Sequence, residues 1–317
     1  MHIAILDDYQ GVALTLADWS VLHGSATITV FRDHLSNPND VIARLQPFDV
    51  VCVVRERTPL PRAILEKLPR LKLIASPTMR NASIDMRAAR ELGITVCGTG
   101  SPSLGAPVHT WALILALVRQ VPSQAASLRA GGWQTEVGGD LNGKTLAVLG
   151  LGKIGAFVAR VGRAFGMHVI AWSQNLTAQR ADEQGARLVS KTELFQGADI
   201  LTIHLVLSDR TRGIVGRDEL ALMKRSALLV NTSRGPLVDE HALIDALQAR
   251  QIAGAALDVF DVEPLPADHP FRSLDNVMAT PHIGFVTEDT LRMFYREMVE
   301  NIRAWLDGAP IRVLNAE

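Results

Sequence analysis

The stretch TLAVLGLGKIGAFVARVGRAFGMHVIAWS, residues 145–173, decides the fold. A short apolar run, TLAVL, leads into Gly150, Gly152 and Gly155 at GxGxxG spacing, and the chain then takes up a helical period in which Ile154, Phe157, Val158, Val161 and Phe165 form one apolar stripe. A second run, HVIAW (168–172), closes the unit. In this strand-turn-helix-strand setting the glycines have separate tasks. Gly150 permits the tight turn, Gly152 lets a pyrophosphate approach the backbone, and Gly155 lets the helix pack on the strand. The amides that open the helix, at Gly152, Lys153, Ile154 and Gly155, and its positive end then hold the phosphate. The context favours dinucleotide binding over a merely structural glycine turn.

The strand HVIAW should end on the residue that reads the adenosine ribose, usually Asp or Glu. Ser173 stands there, followed by Gln174 and Asn175, so no carboxylate accepts from a 2′-OH or repels a 2′-phosphate. That admits NADP. No arginine stands beside Ser173, however, the nearest downstream being Arg180, so NADP is only slightly ahead and NAD stays open. Read blandly, the three residues are a polar loop compatible with either cofactor.

Working outward, residues 1–100 show short apolar runs, IAIL, ATITVF, DVVCVV, LKLIAS and ITVCGT, separated by helical spacing such as IDMRAARELG. The breaker-rich GTGSPSLGAP (98–107) reads as a boundary before a helical pattern over 105–120. A second series follows TLAVL and HVIAW through ADILTIHLVL, ALLVN, AGAALDV and NVMAT to about residue 284. Residues 287–306 form a last helical pattern, with Leu291, Phe294, Met298, Ile302 and Trp305 at spacings of three and four, placed to pack back on the first series. Strands alternating with helices predict an α/β protein with parallel sheets covered on both faces.

Composition agrees with two globular domains: 317 residues, 48% hydrophobic and 21% charged. The 32 basic and 33 acidic residues leave a net charge of −1, which offers no global attraction to nucleic acid or to an anionic membrane, so any anion must meet a local site. The longest unbroken apolar run, 111–118, is far short of the ~20 residues that span a bilayer, and the first residues, MHIAILDDYQ, read as a strand rather than a secretory leader. A soluble, cytoplasmic protein is expected. Cys52 and Cys97 lie within strand-like runs and are expected to be buried thiols.

Three further segments follow later strands, where open α/β sheets bind ligands. They are NTSRGPLVDE (231–240), ALDVFDVEPLP (256–266) and ATPHIGF (279–285), and they carry Arg234, Glu263 and His282 in Gly- or Pro-bearing loops. Taken singly, Arg234 and Glu263 read as surface charges; the constellation is what matters.

With these motifs in order, the chain resembles the D-isomer-specific 2-hydroxyacid dehydrogenases. The likeness runs from NASIDMRAARELGI (81–94) through GLGKIG, TIHLVLSDRTRG (202–213), NTSRGPLVDE and ALDVFDVEPLP to TPHIG. It implies two Rossmann- or flavodoxin-like doubly wound domains with a cleft between them. Residues 1–100 and 285–317 form a discontinuous substrate-binding domain, and 101–284 the NAD(P)-binding domain, with a homodimer built mainly through the latter.

By the resemblance, Arg234 binds the substrate carboxylate and polarises the 2-keto oxygen, a task suited to fixed guanidinium donors. His282 is the acid/base residue and Glu263 its partner, since a nearby carboxylate favours imidazolium over imidazole. Asp258 faces the nicotinamide carboxamide, and Thr232 and Ser233 lie alongside the ring. No metal is expected, because hydride transfer with Arg and His needs none, although Asp258, Asp261 and Glu263 are clustered in sequence. His204 reads as a structural or cofactor-flanking histidine.

The substrate loop departs from the Gly-rich pattern of many relatives: ASPTMRNASID (75–85) puts Met79 and Arg80 where backbone amides grip the carboxylate. Arg80 projects into the pocket or folds outward, and an inward Arg80 favours a substrate with a second anionic or polar group. The implied reaction is reduction of a small 2-keto acid by NAD(P)H, with glyoxylate or hydroxypyruvate the expected substrate. The alternatives are a short phosphoglycerate dehydrogenase without a regulatory extension, and a corepressor-like NAD(H)-sensing scaffold. Balanced charge and few aromatics give no positive sign of the scaffold.

Overall fold

The computed structural model describes residues 1–101 and 104–316. Pro102 and Ser103, and with them part of the expected boundary segment 98–107, lie outside the described residues, as does Glu317. The chain divides into two compact units, Met1–Pro102 with Thr287–Glu317, and Ser103–Val286. Among the described residues no helix is long and apolar enough to cross a membrane.

In the first unit, strands β1 (His2–Ile5), β2 (Thr27–Val30), β3 (Val50–Cys52), β4 (Leu73–Ala75) and β5 (Thr95–Cys97) form a wholly parallel sheet in the order β2-β1-β3-β4-β5. This is the flavodoxin-like doubly wound order. Residues of β1, β3 and β4 such as Ile3, Val51 and Ile74 are fully buried, as expected of strands covered on both faces. The helix Glu288–Leu306 belongs here: Thr287 caps it by accepting from the Thr290 amide, and Leu291, Phe294, Met298 and Ile302 are buried. Buried Glu297 on the same helix accepts from the Gly100 amide at 2.7 Å. The tail beyond the helix runs antiparallel along β5, with Leu314 donating to the Val96 carbonyl and Gly98 to the Arg312 carbonyl, so one sheet edge is covered.

In the second unit, β6 (Thr145–Leu149), β7 (His168–Trp172), β8 (Arg187–Leu188), β9 (Ile200–Ile203), β10 (Leu228–Asn231), β11 (Gly254–Leu257) and β12 (Val277–Ala279) form a parallel sheet in the order β12-β11-β10-β9-β6-β7-β8. The order reverses between β6 and β9, which is the Rossmann switch point where open sheets bind ligands. The two-residue β8 was not expected, since it has no apolar run, and His204 falls just past β9 rather than inside it.

The helix Lys153–Ala164 corrects one expectation. Its buried face is Gly155, Val158, Ala159 and Gly162, whereas Ile154, Phe157 and Val161 are half-buried and Phe165 is exposed. Proximity to β6 decides this: a Cβ on Gly162 would lie 2.6 Å from the Leu146 side chain, and one on Gly155 2.1 Å from the Gly150 carbonyl oxygen. Only small residues fit against the strand, and the larger ones flank it.

Candidate active site

The ends of β10, β11 and β12 deliver Arg234, Glu263 and His282. After β10, Asn231 shapes the turn. Its side-chain oxygen accepts from the Ser233 amide at 3.1 Å and its nitrogen donates to the Arg234 carbonyl at 2.9 Å. The Ser233 hydroxyl donates to the Ile203 carbonyl at 2.7 Å, tying the turn to β9. Gly235 lets this loop touch the next, because a Cβ there would lie 2.1 Å from the Phe260 carbonyl carbon.

Glu263 is held from two sides. Its Oε1 accepts from the Phe260 amide at 2.9 Å and its Oε2 pairs with His282 Nδ1 at 2.6 Å. A carboxylate partner places the proton of that bond on Nδ1, so Nε2 is the nitrogen left for chemistry. His282 has a positive φ of 51°, and its ring meets Phe285 edge-on with centroids 5.6 Å apart. A histidine in the left-handed region is a position where surrounding structure overrides local preference, as is common at functional sites.

Asp258, at the end of β11, is buried, and its oxygens accept from the Thr280 hydroxyl (2.6 Å) and the amides of Ile283 (2.9 Å) and Gly284 (2.8 Å). Burial alone would raise its pKa, yet hydrogen bonds from His109, Thr280 and the two amides outweigh that and hold the carboxyl below its ordinary range. Thr232 pairs with Thr110 through their hydroxyls at 2.7 Å.

At the switch point, Gly150 has φ +101°, and a Cβ there would lie 2.7 Å from the His204 carbonyl oxygen. A Cβ on Gly152 would meet no atom within 4 Å, which leaves the backbone open on that side. Nearby, His204 Nε2 pairs with the Thr202 hydroxyl at 2.9 Å, while its buried Nδ1 has no partner among the described residues. Burial pushes this histidine down to about 3, so it is neutral and offers one unfilled hydrogen-bonding position. An open glycine turn, helix amides and an unfilled buried nitrogen fit a dinucleotide. Lys153 lines a cavity of about 540 Å³ with Gly152, Arg160, Arg180 and Glu183. Ser173 is half-buried, and Gln174 and Asn175 are exposed.

In the first unit, Met79 and Arg80 are both exposed in the loop after β4. Sequence reasoning passed over Arg55, which has φ 58° and donates to the Thr78 hydroxyl at 3.2 Å; Thr78 itself has φ 64°. The side-chain nitrogen of Asn81 donates to the Arg55 carbonyl and to the Ser76 hydroxyl, joining the loops after β3 and β4. Positive φ at residues other than glycine leaves no trace in a single sequence. His109 and Thr280 were also passed over, since a histidine in a helix and a threonine beside a proline are ordinary by themselves.

A nucleotide-binding sheet whose later strand ends carry a His–Glu pair and an arginine is the architecture of a nicotinamide-dependent oxidoreductase. Comparison with known proteins agrees. Residues 111–284 match the family model for the NAD binding domain of the D-isomer specific 2-hydroxyacid dehydrogenases. The chain is 40% identical over 265 residues to glyoxylate reductase of Aeropyrum pernix, covering 80% of this chain and 79% of that enzyme. It is 40% identical over 273 residues to D-3-phosphoglycerate dehydrogenase of Methanocaldococcus jannaschii, covering 85% of this chain but spanning only 52% of that enzyme's length. A crystal structure of phosphoglycerate oxidoreductase from Vibrio cholerae superposes with a TM-score of 0.93 at 39% identity, covering 98% of this chain and all of that one. The chain belongs to the D-isomer specific 2-hydroxyacid dehydrogenase family, a family of oxidoreductases, and its second unit carries the NAD-binding domain.

Proposed function

We propose that the protein reduces a small 2-keto acid to the D-2-hydroxy acid, with glyoxylate or hydroxypyruvate as substrate. The observation that carries this reading is the 2.6 Å pair between His282 Nδ1 and Glu263 beside the Arg234 loop. Bound nicotinamide supplies a hydride to C2 of the keto acid. His282 gives the Nε2 proton to the carbonyl oxygen as the C–O double bond becomes a single bond, and takes it back in oxidation. Glu263 fixes the ring and stabilises the imidazolium. Arg234 binds the substrate carboxylate through its fork of donors and polarises the carbonyl. Met79 and Arg80 are assigned to the carboxylate by the same reading, and Asp258, Thr232 and Ser233 to the neighbourhood of the nicotinamide.

The absence of a carboxylate at Ser173, with Lys153 and Arg180 lining one cavity, supports NADPH over NADH. The helix Val121–Arg129, which buries none of its residues, and the exposed Leu128, Trp133 and Val137 support a homodimer formed by the second unit. Unpaired, buried Cys52 and Cys97 suit the reducing cytoplasm.

The test is turnover of glyoxylate and hydroxypyruvate with each reduced nicotinamide. His282→Ala should lower kcat by roughly 10²–10⁴-fold, the usual contribution of a general acid, while leaving NADPH binding intact. Full turnover in a folded His282→Ala variant would overturn the assignment.

A further inference from the structure

The first helix of the second unit, Gly105–Val118, takes hold of two active-site loops through consecutive residues, His109 and Thr110. The Thr110 hydroxyl donates back to the Ala106 carbonyl at 2.9 Å, so in its 2.7 Å contact with Thr232 it can only accept. Thr232, two residues before Arg234, is thereby tied to the helix. The same accounting applies to His109. Thr280 gives its one hydroxyl proton to Asp258 Oδ1 at 2.6 Å, so the contact of His109 Nε2 with Thr280 Oγ1 at 3.0 Å needs the proton on Nε2. That N–H also faces Asp258 Oδ1 at 3.2 Å.

Asp258 therefore receives four donors, from Thr280, His109, Ile283 and Gly284, against the roughly four lone-pair sites a carboxylate offers. Three of the four lie in or beside residues 280–284, with His282 in their middle. A Cβ on Gly284 would stand 3.0 Å from Asp258 Oδ2, so the loop is pressed against the carboxylate.

We infer that His109 is a positioning residue: with Thr280 it locks Asp258 onto the 280–284 loop, which keeps His282 seated on Glu263 in its left-handed conformation. Asp258, placed above in the neighbourhood of the nicotinamide, is also the hub of this lock. The inference rests on the role proposed for His282, and it accounts for how a strained residue stays in register.

The test compares His109→Ala, Thr280→Val and Thr280→Ser. Valine keeps the shape of threonine without its hydroxyl, and serine keeps the hydroxyl. Thr280→Val and His109→Ala should lower kcat about 10–100-fold with NADPH affinity within about twofold of the parent, the usual penalty of a misplaced catalytic group. Thr280→Ser should recover to within about threefold of the parent. In the cofactor-free protein, the far-downfield NMR proton shared by His282 Nδ1 and Glu263 should broaden in the two disrupting variants and persist in Thr280→Ser. A downfield proton untouched in both disrupting variants would overturn the inference, and so would a loss of NADPH affinity matching the loss of kcat, since His109 and Thr280 would then be acting through the cofactor rather than through His282. His282→Ala, assayed alongside, keeps the two readings apart: if it turned over fully, the role of His282 would fall while the NMR signal still decided the lock.

Discussion

The two sheets share a doubly wound plan but treat the turn after their first strand in opposite ways. After β6 the turn is Gly150-Leu151-Gly152, with φ +101° at Gly150 and nothing where a Gly152 side chain would stand. After β1 the turn is Asp7-Asp8-Tyr9. Asp8 Oδ1 accepts from the Val12 amide at 3.1 Å and Oδ2 from the Ala13 amide at 3.0 Å, consuming the donors that open the next helix. Asp7, at φ 55°, is buried and engaged by His34 (3.0 Å) and the Thr58 hydroxyl (2.6 Å). One turn keeps its amides open for an anion; the other has supplied its own. The fold prepares a site for negative charge twice, and side chains decide which copy stays available.

The largest expected effect comes from closing the open turn. Gly150→Ala must adopt a conformation that L residues disfavour and place its Cβ against the His204 carbonyl, so NAD(P)H affinity should fall roughly 100-fold, about 2.7 kcal/mol. Calorimetric titration measures this, and an unchanged Kd would remove the turn from the cofactor site.

Opening the closed turn comes next. Asp8→Ala leaves one buried and one half-buried amide without their acceptor and should lower stability by about 2 kcal/mol in urea titration, with no nucleotide bound at the new vacancy. Gain of a second nicotinamide dinucleotide per chain would break the comparison.

In the second unit the satisfied carboxylate is Asp258, and it should show in acid. Its folded pKa is depressed, so its contribution is complete above the unfolded value near 4 and is lost as pH falls through the folded value. Asp258→Asn should therefore be less stable than the parent by about 1.5 kcal/mol at pH 7, with the gap narrowing at pH 3. A gap that widens in acid would reverse the sign and contradict the account. The smallest effect is at the ribose end of the open turn, where Ser173→Asp should weaken NADPH relative to NADH about tenfold through repulsion of the 2′-phosphate. An unchanged ratio would place the phosphate away from Ser173.

Among the described residues eleven of the twelve strands were legible as apolar runs, and β8 was not, because two residues make no pattern. The glycine turn was equally plain, since GxGxxG encodes a steric requirement directly. Less was legible in the helix after it: apolar periodicity picked out Phe157 and Phe165, yet closeness to β6 awarded the inner face to Gly155, Ala159 and Gly162. Arg234, Glu263 and His282 stand out in the sequence through ordered motifs, and the structure places them on the loops after β10, β11 and β12. What supports them, Asn231, Thr280 and His109, was hidden, because its meaning lies in hydrogen bonds between segments as far apart as residues 109 and 280. Asp8 was hidden for the same reason in miniature, since an acid after a strand reads as a loop residue until its amide partners are seen.

The helix Glu288–Leu306 packs with strands made nearly two hundred residues earlier. On the ribosome, at about 5–20 residues per second, β1 to β5 emerge roughly 10–40 s before the helix that carries the buried Phe294, Met298 and Ile302. Through that interval the opening hundred residues lack the helix that completes their unit, while the continuous second unit can close as soon as it is made. The unit begun first is thus the unit that finishes last.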